Sequence, residues 1–516
     1  MASAFKAQSA AARQQVSLQA SNLFPSAAEN LSRFQYVEGL NPCGLRVLKQ
    51  AKVATLSTMM KLTPTQVVRK IKEGELRVAV VGCDVKGLST AYLFAEAGAM
   101  VVGVDQSLEV VRAVRLGRSM PPEPQLGELL IKHVKSGRFT PTTEALEAVL
   151  ESDVVNITVP TSVDENMRPN YSSLFKAAEN IGKGLRTGSL VVVSSTVGPG
   201  MTEEVVRKTV ENYSGLKAGP DFGLAYTPIR ASAGTVIDDM RTRPRVVGGL
   251  DERSLEVAAA VLGAILKPEV RVMKVRDIKT AEVVELFENT YRLVSVTLSN
   301  ELATLCEKIG VDYYAARDAA VTDEHCHLLL PGAGVGGQIP ENLLLLTSVA
   351  EDYGVNLGLT RSASKVNDEM VGHGVKLVMD AVRACGRTLR RSTVAFLGVS
   401  FKPNVKEARG SRSLEVLKAL MRKGAKVNAY DPYFTPEELQ ALGIPGVSGI
   451  QKALDGANCV VLAVGHTEFS KISLGKIRSQ TRKPIALIDF NNFIDPVEAE
   501  RSGFIYRGVG RGVWTR

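Results

Sequence analysis

A glycine turn near the start of the chain has the outline of a dinucleotide-binding motif. It reads GCDVKG from Gly82 to Gly87 and follows the apolar segment LRVAVV. In the G-x-G-x-x-G pattern, the middle glycine lets the backbone approach a pyrophosphate, and the N-terminus of the next helix faces its charge. Gly82 and Gly87 keep the outer positions, whereas Asp84 places a carboxylate at the middle one. Asp105, further along, stands where such sites hold a ribose hydroxyl.

The substitution at Asp84 bears directly on cofactor binding. A carboxylate ~4 Å from a phosphate charge costs about 4 kcal/mol at an effective dielectric near 20, before screening. Lys86 would offset part of that cost. The turn therefore predicts a lobe of the NAD-binding type, with NAD as the cofactor it would take. An equal alternative is a lobe that keeps this shape and binds NAD weakly.

Short apolar, β-branched segments alternate with sequence of helical period along most of the chain. They occupy 76–82, 100–105, 153–160, 189–196 and 244–249, and then 392–401, 426–432, 458–466 and 484–490. Strands that alternate with helices predict parallel, doubly wound sheets. The sequence between them, 277–385, is helical, with Leu298, Leu302 and Leu305 on one face. The predicted fold class is α/β: two Rossmann-like doubly wound lobes joined by a central helical segment, which would form the floor of a cleft.

Composition narrows the classes of protein further. The chain has 516 residues, 63 Lys and Arg against 54 Asp and Glu, and a net charge of +9. This mild excess suits a protein that handles anions such as nucleotides, and no basic block predicts nucleic-acid binding. No apolar segment reaches the ~18 residues of a membrane span. Six cysteines without a CxxC pair and five scattered histidines predict reduced thiols, no metal site and a cytoplasmic protein.

The first residues leave two interpretations open. Residues 1–28 contain no Asp or Glu and are rich in Ala, Ser and Gln. A flexible or loosely helical extension is preferred, and an organelle transit peptide is the alternative. After it, residues 62–75 predict a helix that Thr63 caps, with Pro64 in its first turn and Gly74 at its end.

From about residue 65 onward, a series of motifs resembles the UDP-glucose/GDP-mannose dehydrogenase family. The chain is most similar there to archaeal and bacterial UDP-N-acetyl-D-mannosamine and UDP-N-acetylglucosamine 6-dehydrogenases. The matching stretches stand in the family's order and include VVGVD, EPQLGELL, SSTVGPG, PRVVGG, ENTYRLVSVTLSNELATLCEKIGVD, LPGAGVGG, FKPNVKEARGS, AYDPYF and YRGVGRG.

The resemblance implies a division of labour along the chain. It assigns 1–61 to the extension, 62–276 to an NAD-binding-type domain, 277–385 to a central helical domain that makes a dimer, and 386–516 to a UDP-sugar-binding-type domain. The family oxidises C6 of the sugar twice, from alcohol to acid, with two NAD per turnover. A cysteine thiolate traps the intermediate aldehyde, because an aldehyde has no hydride to give until a nucleophile adds to it.

Carried over residue by residue, the family's catalytic set is largely missing. Gln338 stands where the thiol belongs, Glu285 replaces the Lys that stabilises the oxyanion, and Ile229 replaces a Glu that handles protons. An amide forms no adduct, an anion opposes a developing alkoxide, and an aliphatic chain transfers no proton. Cys326 is the nearest thiol in sequence and a candidate substitute; the preferred alternative is an ordinary semi-buried cysteine. An alternative interpretation of Glu285 is a solvated residue in a cleft no longer used.

Other family positions are kept. The resemblance assigns cofactor contacts to Gly82, Gly87, Asp105, Thr161 and Thr196. It assigns contacts with the sugar nucleotide to Asn289, Gly334, Gly336, Gly337, Lys402 and Arg409, with Thr161 and Asn289 as the remaining catalytic positions. Arginine and backbone N–H groups suit phosphate. The alternative for the glycines and cations is a hinge and an ordinary charged surface.

These residues together predict a pseudoenzyme: a nucleotide-sugar 6-dehydrogenase homologue that no longer performs the four-electron oxidation. It would keep a UDP-sugar-binding lobe and act as a partner or regulator, as a homodimer or with a paralogue. Two alternatives stay open. One is an active NAD-dependent oxidoreductase with altered chemistry on a UDP-sugar; the other is a structural protein that reuses the dimeric scaffold.

Overall fold

The computed structural model describes residues 59–120, 122–123 and 125–511. The predicted extension 1–61, including the residues weighed as a transit peptide, lies outside the described residues except for its last three. The predicted helix at 62–75 is confirmed as α1 (Pro64–Lys72). Thr63 caps it in a reciprocal capping box with Gln66, and Gly74 follows it in the left-handed region.

In the described part of the chain, ten strands precede the central helices. They are β1 (Arg77–Val81), β2 (Met100–Val104), β3 (Phe139–Thr142), β4 (Val154–Ile157), β5 (Ser162–Val163), β6 (Pro169–Asn170), β7 (Leu190–Val193), β8 (Gly223–Tyr226), β9 (Arg245–Gly249) and β10 (Val272–Val275). Eight of them form one sheet in the order β10-β9-β8-β7-β4-β1-β2-β3, while β5 and β6 form a separate antiparallel pair.

Helices cover both faces of this sheet. After α1 they are α2 (Val85–Ala97), α3 (Leu108–Arg115), α4 (Leu126–Lys135), α5 (Ala145–Leu150), α6 (Ser172–Gly184), α7 (Lys208–Ser214), α8 (Val236–Thr242) and α9 (Glu252–Gly263). A π-helical turn, Thr202–Arg207, leads into α7. Alternate residues of β1 enter different cores: Val78 and Val80 pack on one face, and Ala79 and Val81 on the other. This is the two-residue period of a strand that is buried on both sides.

One strand departs from the predicted parallel sheet. β9 runs antiparallel to β8, with Tyr226 opposite Gly248. The segment after β8 stays at the carboxyl edge, where Gly234 meets Val405 of the C-terminal lobe. The chain therefore re-enters the sheet from that edge and runs backward. β10 then pairs parallel with β9.

The central segment consists of four helices. They are α10 (Ile278–Ile309), α11 (Tyr313–Ala320), α12 (Ile339–Asp352) and α13 (Gly358–Ala384). The predicted long helix is α10, but Leu298 and Leu305 are about half exposed on it, as are Phe287, Tyr291 and Ile309. The apolar face of α10 thus lies largely outside this chain's own core. Within the described residues, no helix is both long and apolar enough to cross a bilayer.

A second Rossmann-like lobe follows. Its strands are β11 (Thr393–Leu397), β12 (Lys426–Tyr430), β13 (Cys459–Leu462), β14 (Ile485–Asp489) and β15 (Phe504–Gly508). Its helices are α14 (Arg412–Arg422), α15 (Pro436–Ala441), α16 (Ile450–Leu454), α17 (Leu474–Gln480) and α18 (Pro496–Arg501). The sheet is parallel throughout, in the order β12-β11-β13-β14-β15. The predicted fold class is confirmed.

Gly98 offers a test of how tightly α1 and α2 pack. It ends α2 in the left-handed region, and a Cβ there would lie 2.5 Å from the Ile71 carbonyl oxygen. Gly215 ends α7 in the same region, and a Cβ there would meet no atom within 4 Å. Left-handed strain costs about 1–2 kcal/mol in either alanine variant. We expect Gly98→Ala to lose clearly more free energy of unfolding than Gly215→Ala in urea titrations; equal losses would contradict the packing.

Candidate functional site

The predicted site residues meet at one edge of the first sheet. β1, β2, β4, β7 and β8 run parallel, so their carboxyl ends share that edge. The residues that follow them are Gly82, Asp105, Thr161, Thr196 and Ile229, in the same order. In open α/β sheets, ligands bind outside these strand ends.

The two retained glycines have a structural reason to remain. A Cβ on Gly87 would lie 1.9 Å from the Gly82 carbonyl oxygen, and one on Gly82 would lie 2.9 Å from the Thr158 carbonyl carbon. The Thr158 hydroxyl donates to the Gly82 oxygen at 2.9 Å. The outer glycines are therefore required by the turn itself, whether or not a ligand binds.

The middle position of the turn is occupied by the chain's own anion. Asp84 is the N-cap of α2, and its Oδ1 accepts a hydrogen bond from the Gly87 N–H at 2.8 Å. Burial raises the pKa of the Asp84 carboxyl, and the nearby Lys86 ammonium works in the opposite direction. The helix N-terminus that would face a pyrophosphate thus already holds a carboxylate. The residues present do not fit a dinucleotide's phosphates.

Asp105, the residue predicted to hold a ribose hydroxyl, differs from Asp84 in that it can still accept a hydrogen bond from a ligand. Asp105 accepts the Cys83 N–H at 3.0 Å through one oxygen and the Ser107 N–H at 2.9 Å through the other. Each carboxylate oxygen can accept a second hydrogen bond. Asp105 therefore braces the glycine turn and can still accept from a hydroxyl.

Glu285 of α10 turns toward the glycine turn. It is 8% exposed, so it is not the solvated residue that one interpretation of the sequence held. Its Oε1 lies 3.7 Å from the Lys86 Nζ, and its Oε2 accepts from the Thr196 hydroxyl at 3.2 Å. A buried carboxylate needs partners of this kind. The ion pair joins the helix that follows the glycine turn to the central helix α10.

Three residues earlier, Glu282 is fully buried on the same helix. It accepts N–H groups of Gly200 and Thr202 at the start of the π-helical turn, the latter at 2.8 Å. Burial raises the pKa of Glu282 to about 6, against the lowering effect of these hydrogen bonds. Glu282 fixes the loop after β7, and with it Thr196.

Two positions that the sequence interpretation assigned to lost catalytic groups hold unreactive side chains. Ile229 is 2% exposed and belongs to the hydrophobic core. Gln338 is the N-cap residue of α12 and makes no side-chain cap bond. The buried thiol of the glycine turn, Cys83, is no replacement, because burial raises its pKa far above the ordinary value. Cys326 lies in the turn after α11, near Tyr313.

Two buried hydroxyls at the same edge stay unsatisfied. Within the described residues, neither the Thr161 nor the Ser195 hydroxyl has a hydrogen-bond partner. Buried polar atoms in native proteins are nearly always paired with protein, water or ligand. Thr161 and Ser195 therefore favour a polar ligand or ordered water at this edge.

The glycine loop before α12 is built by close packing against the C-terminal lobe. A Cβ on Gly336 would lie 2.2 Å from the Gly410 oxygen, which also accepts the Gly337 N–H at 3.1 Å. Gly334 has a φ of +111° and lies against Asn367. Some of the N–H groups expected to meet anions are thus used within the fold.

The two predicted cations of the C-terminal lobe differ in setting. Lys402 is half-buried, and burial lowers its pKa, while Glu123 and Asp239 of the first lobe counter that effect. Arg409 is exposed. Lys402 therefore sits where the two lobes face each other, whereas Arg409 is open to solvent.

The loop that carries Lys402 rests on a polar pair that the sequence interpretation missed. His466 accepts the Asn404 N–H through Nδ1 at 2.9 Å and contacts the Asp431 carboxylate through Nε2 at 3.1 Å. Both side chains of this pair are fully buried. Asp431 also accepts the N–H groups of Val399 and Ser400. The sequence did offer a signal for this pair: Asp431 is an acidic residue directly after β12, the second strand of a βαβ unit.

Other contributors were also missed. Glu282 could have been found from its place one helical turn before Glu285, because both fall on the inward face of α10. The Lys86–Glu285 pair had no local signal, since the two residues lie far apart in the sequence.

Among the described residues, no group of three His, Cys, Asp or Glu side chains is arranged to hold a metal ion.

Comparisons with known proteins agree with this architecture. The chain matches the NAD binding domain of the UDP-glucose/GDP-mannose dehydrogenase family at residues 76–266, its central domain at 279–369 and its UDP binding domain at 395–496. It is 31% identical to the UDP-N-acetyl-D-mannosamine dehydrogenase of Pyrococcus horikoshii, covering 85% of this chain and 100% of that protein. It is 29% identical to the UDP-N-acetyl-D-glucosamine 6-dehydrogenase of Pseudomonas aeruginosa, covering 82% and 98%.

The fold also matches that of a solved structure. The UDP-D-ManNAc dehydrogenase structure from Pyrococcus horikoshii is 30% identical and aligns with a TM-score of 0.77, over 85% of this chain and 100% of that one.

The burial of Glu282 leads to a prediction of how the free energy of unfolding depends on pH. Because its pKa is about 6 in the folded chain and 4.5 without the fold's influence, the folded state binds the proton more tightly. Its contribution to the free energy of unfolding is therefore present at low pH and falls by about 2 kcal/mol as pH rises through this window. The difference between wild type and Glu282→Gln, measured by urea unfolding at several pH values, should show that fall. Glu301→Gln, at an exposed position of the same helix, is the control for the substitution itself. A flat difference for Glu282→Gln would contradict its assignment.

Proposed function

Since the chain belongs to the UDP-glucose/GDP-mannose dehydrogenase family, we propose that it is a pseudoenzyme of that family, which binds a UDP-sugar and does not oxidise it. Its relatives are named for dehydrogenation of UDP-sugars. In this chain the groups for that reaction are replaced, while the fold around them is kept. The retained role is binding, with the chain acting as a partner or regulator.

The observation that carries the proposal is the Asp84 cap on α2. The carboxylate takes the Gly87 N–H, and a pyrophosphate arriving there would meet a like charge. The unscreened penalty of about 4 kcal/mol corresponds to a loss of affinity of at most about a thousandfold, and Lys86 offsets part of it. NAD, which the family uses as the oxidant, should therefore bind here more weakly than at a turn with glycine in the middle position.

The chemistry fails independently of the cofactor. The second oxidation requires a nucleophile on the aldehyde carbon, and the Gln338 amide cannot supply one. Glu285 presents a carboxylate where an oxyanion would need a cation, and its charge is already balanced by Lys86 at 3.7 Å. An enzyme that loses several residues of one catalytic unit retains little of its catalytic rate.

The C-terminal lobe supports the binding role. The loop between β11 and α14 carries Lys402 and Arg409, and the buried His466–Asp431 pair holds the start of this loop in place. The family assigns this lobe to the UDP portion of the substrate. A nucleoside diphosphate would gain charge-assisted hydrogen bonds from these cations.

The exposed apolar residues of α10 support a dimer. Phe287, Tyr291, Leu298, Leu305 and Ile309 extend along most of the helix. Large apolar side chains in one stripe mark interaction sites on soluble proteins. We assign this stripe to the homodimer, or to an equivalent contact with a paralogue.

Ligand binding and turnover separate this proposal from its alternatives. With UDP-N-acetylmannosamine, UDP-N-acetylglucosamine or UDP-glucose, we expect no NADH from the purified chain in an absorbance assay. We expect UDP to raise the melting temperature in a thermal-shift assay and NAD to leave it unchanged. Steady NADH production would establish an active enzyme with altered chemistry, and a chain that responds to neither nucleotide would favour the structural role.

Restoring the glycine tests the Asp84 cap itself. Asp84→Gly removes the carboxylate and frees the Gly87 N–H, so a thermal shift with NAD should appear. Replacing an N-cap Asp by Gly also destabilises the chain, by roughly a few tenths of a kcal/mol. Asp251→Gly is the matched control, because Asp251 caps α9 through the Ser254 N–H at 2.7 Å away from the glycine turn. A response to NAD in the wild type, or none in Asp84→Gly, would contradict the role of Asp84.

A further inference from the structure

The loop that carries Lys402 is held by a short segment of the same lobe. The loop joins β11 to α14, and the segment follows β13. Three hydrogen bonds join the two at Asn404. The Asn404 N–H donates to His466 Nδ1 at 2.9 Å, Oδ1 accepts the Thr467 N–H at 3.0 Å, and Nδ2 donates to the Thr467 hydroxyl at 2.9 Å. The position of Lys402, two residues before Asn404, therefore depends on this junction.

The backbone of Asn404 needs the support that the junction gives. Its φ is +60°, in the left-handed region, which residues with a side chain adopt at a cost. Such a conformation persists only where the surrounding structure fixes it. Because the Asn404 N–H has its acceptor on His466, we expect loss of that bond to let the backbone relax and to move Lys402.

The hydrogen bonds of His466 assign the position of its ring hydrogen. Nδ1 accepts from Asn404, so it carries no hydrogen, and the neutral ring has its hydrogen on Nε2. Nε2 lies 3.1 Å from Oδ2 of Asp431, to which it donates. A protonated ring carries a hydrogen on both nitrogens and can only donate. His466 therefore holds Asn404 in its neutral form alone.

A proton taken up by His466 would not be an uncompensated buried charge. Asp431 is fully buried beside it. Burial raises the pKa of the Asp431 carboxyl, but hydrogen bonds from His466 and from N–H groups such as that of Val399 hold this pKa below its ordinary value. The carboxylate is thus ionised and in contact with the ring, which makes a buried positive charge tolerable. Protonation breaks one bond of the junction, the bond from Asn404 to Nδ1.

The other polar and charged groups around the ring are occupied elsewhere. Tyr433, which follows β12, packs against the ring with centroids 5.2 Å apart. Glu468 accepts from the Tyr430 hydroxyl at 2.8 Å, and Lys406 of the loop pairs with a carboxylate of α15 at 2.6 Å. Phe469 packs edge-on against the ring and is apolar. Asp431 is therefore the ionised group that faces His466 directly.

We propose that His466 is a positioning residue that responds to pH: its neutral form holds the loop of Lys402 in place through Asn404, and its protonated form releases it. The direction follows from Nδ1, because the proton takes the lone pair that the Asn404 N–H uses. Histidine is the side chain that ordinarily titrates nearest neutral pH. The consequence for ligand rests on the proposed UDP-sugar binding: affinity should fall in mildly acidic solution.

Hydrogen–deuterium exchange of the full chain without ligand tests the release directly. The exchange rate of the Asn404 amide is read residue by residue and corrected for the intrinsic effect of pH. In wild type this amide should exchange about tenfold faster near about pH 5.5 than near about pH 7.5.

Two variants separate the two bonds of His466. His466→Asn places an amide oxygen near the position of Nδ1 and does not titrate, so the Asn404 amide should stay protected at both pH values. His466→Gln reaches toward Asp431 instead and removes the acceptor, so the Asn404 amide should exchange rapidly at both.

His133→Asn is the matched control. His133 is also buried, and it contacts Glu96 of the first lobe at 2.9 Å. In this variant the Asn404 amide should respond to pH as in wild type. Equal exchange in wild type at the two pH values overturns the proposal, even if the His466 variants do not fold. A folded His466→Asn variant that responds to pH like wild type also overturns it.

Calorimetric titration with UDP-glucose tests the consequence for binding. UDP-glucose is the probe because it lacks the terminal phosphate of UDP, which itself titrates near about pH 6. Wild type should bind it about tenfold more weakly near about pH 5.5 than near about pH 7.5, and His466→Asn should lose much less affinity. Glu282 titrates in both chains, so its effect cancels in the comparison.

The two measurements keep the two proposals apart. Equal losses of affinity in wild type and His466→Asn overturn the role of His466 in binding. Failure of wild type to bind UDP-glucose at either pH contradicts the proposed function, and the exchange of the Asn404 amide then still decides whether His466 releases the loop.

Discussion

One hydrogen bond sets the character of this site: the Asp84 carboxylate accepts the Gly87 N–H at the start of α2. A helix N-terminus beside a glycine turn attracts an anion, and here the anion is covalently part of the chain. The turn keeps its shape because Gly82 and Gly87 are packed against Thr158 and each other. The turn therefore has the backbone of a dinucleotide-binding motif, and the chain's own carboxylate occupies its middle position.

The charges around the turn form a connected set. The Lys86 ammonium favours the charged form of Asp84 and also pairs with the Glu285 carboxylate. Glu285 in turn accepts a hydrogen bond from the Thr196 hydroxyl. A carboxylate at 285 without the ammonium at 86 would be buried and uncompensated, at a cost of several kcal/mol. The Glu285 carboxylate can thus be buried because the Lys86 ammonium compensates its charge. Together they join the glycine turn to the central helix through side chains alone.

Local patterns predicted much of this molecule, and contacts between distant segments escaped them. The capping of α1 at Thr63 and the strands on either side of the glycine turn follow from nearby residues. The reversal of β9 does not, because it depends on where the preceding loop lies against Val405. The presence of Ile229 and Gln338 at two of the family's motif positions could be read from the sequence. That Glu285 is buried and paired could not, because its partner comes from another element.

A crystal structure of the protein soaked with NAD and a UDP-sugar together tests the central claim most directly. We expect nucleotide density against the loop of Lys402 in the C-terminal lobe, with the Asp84 carboxylate still bonded to the Gly87 N–H and no dinucleotide at α2. A pyrophosphate seated on the N-terminus of α2, with Asp84 turned away, would contradict the claim.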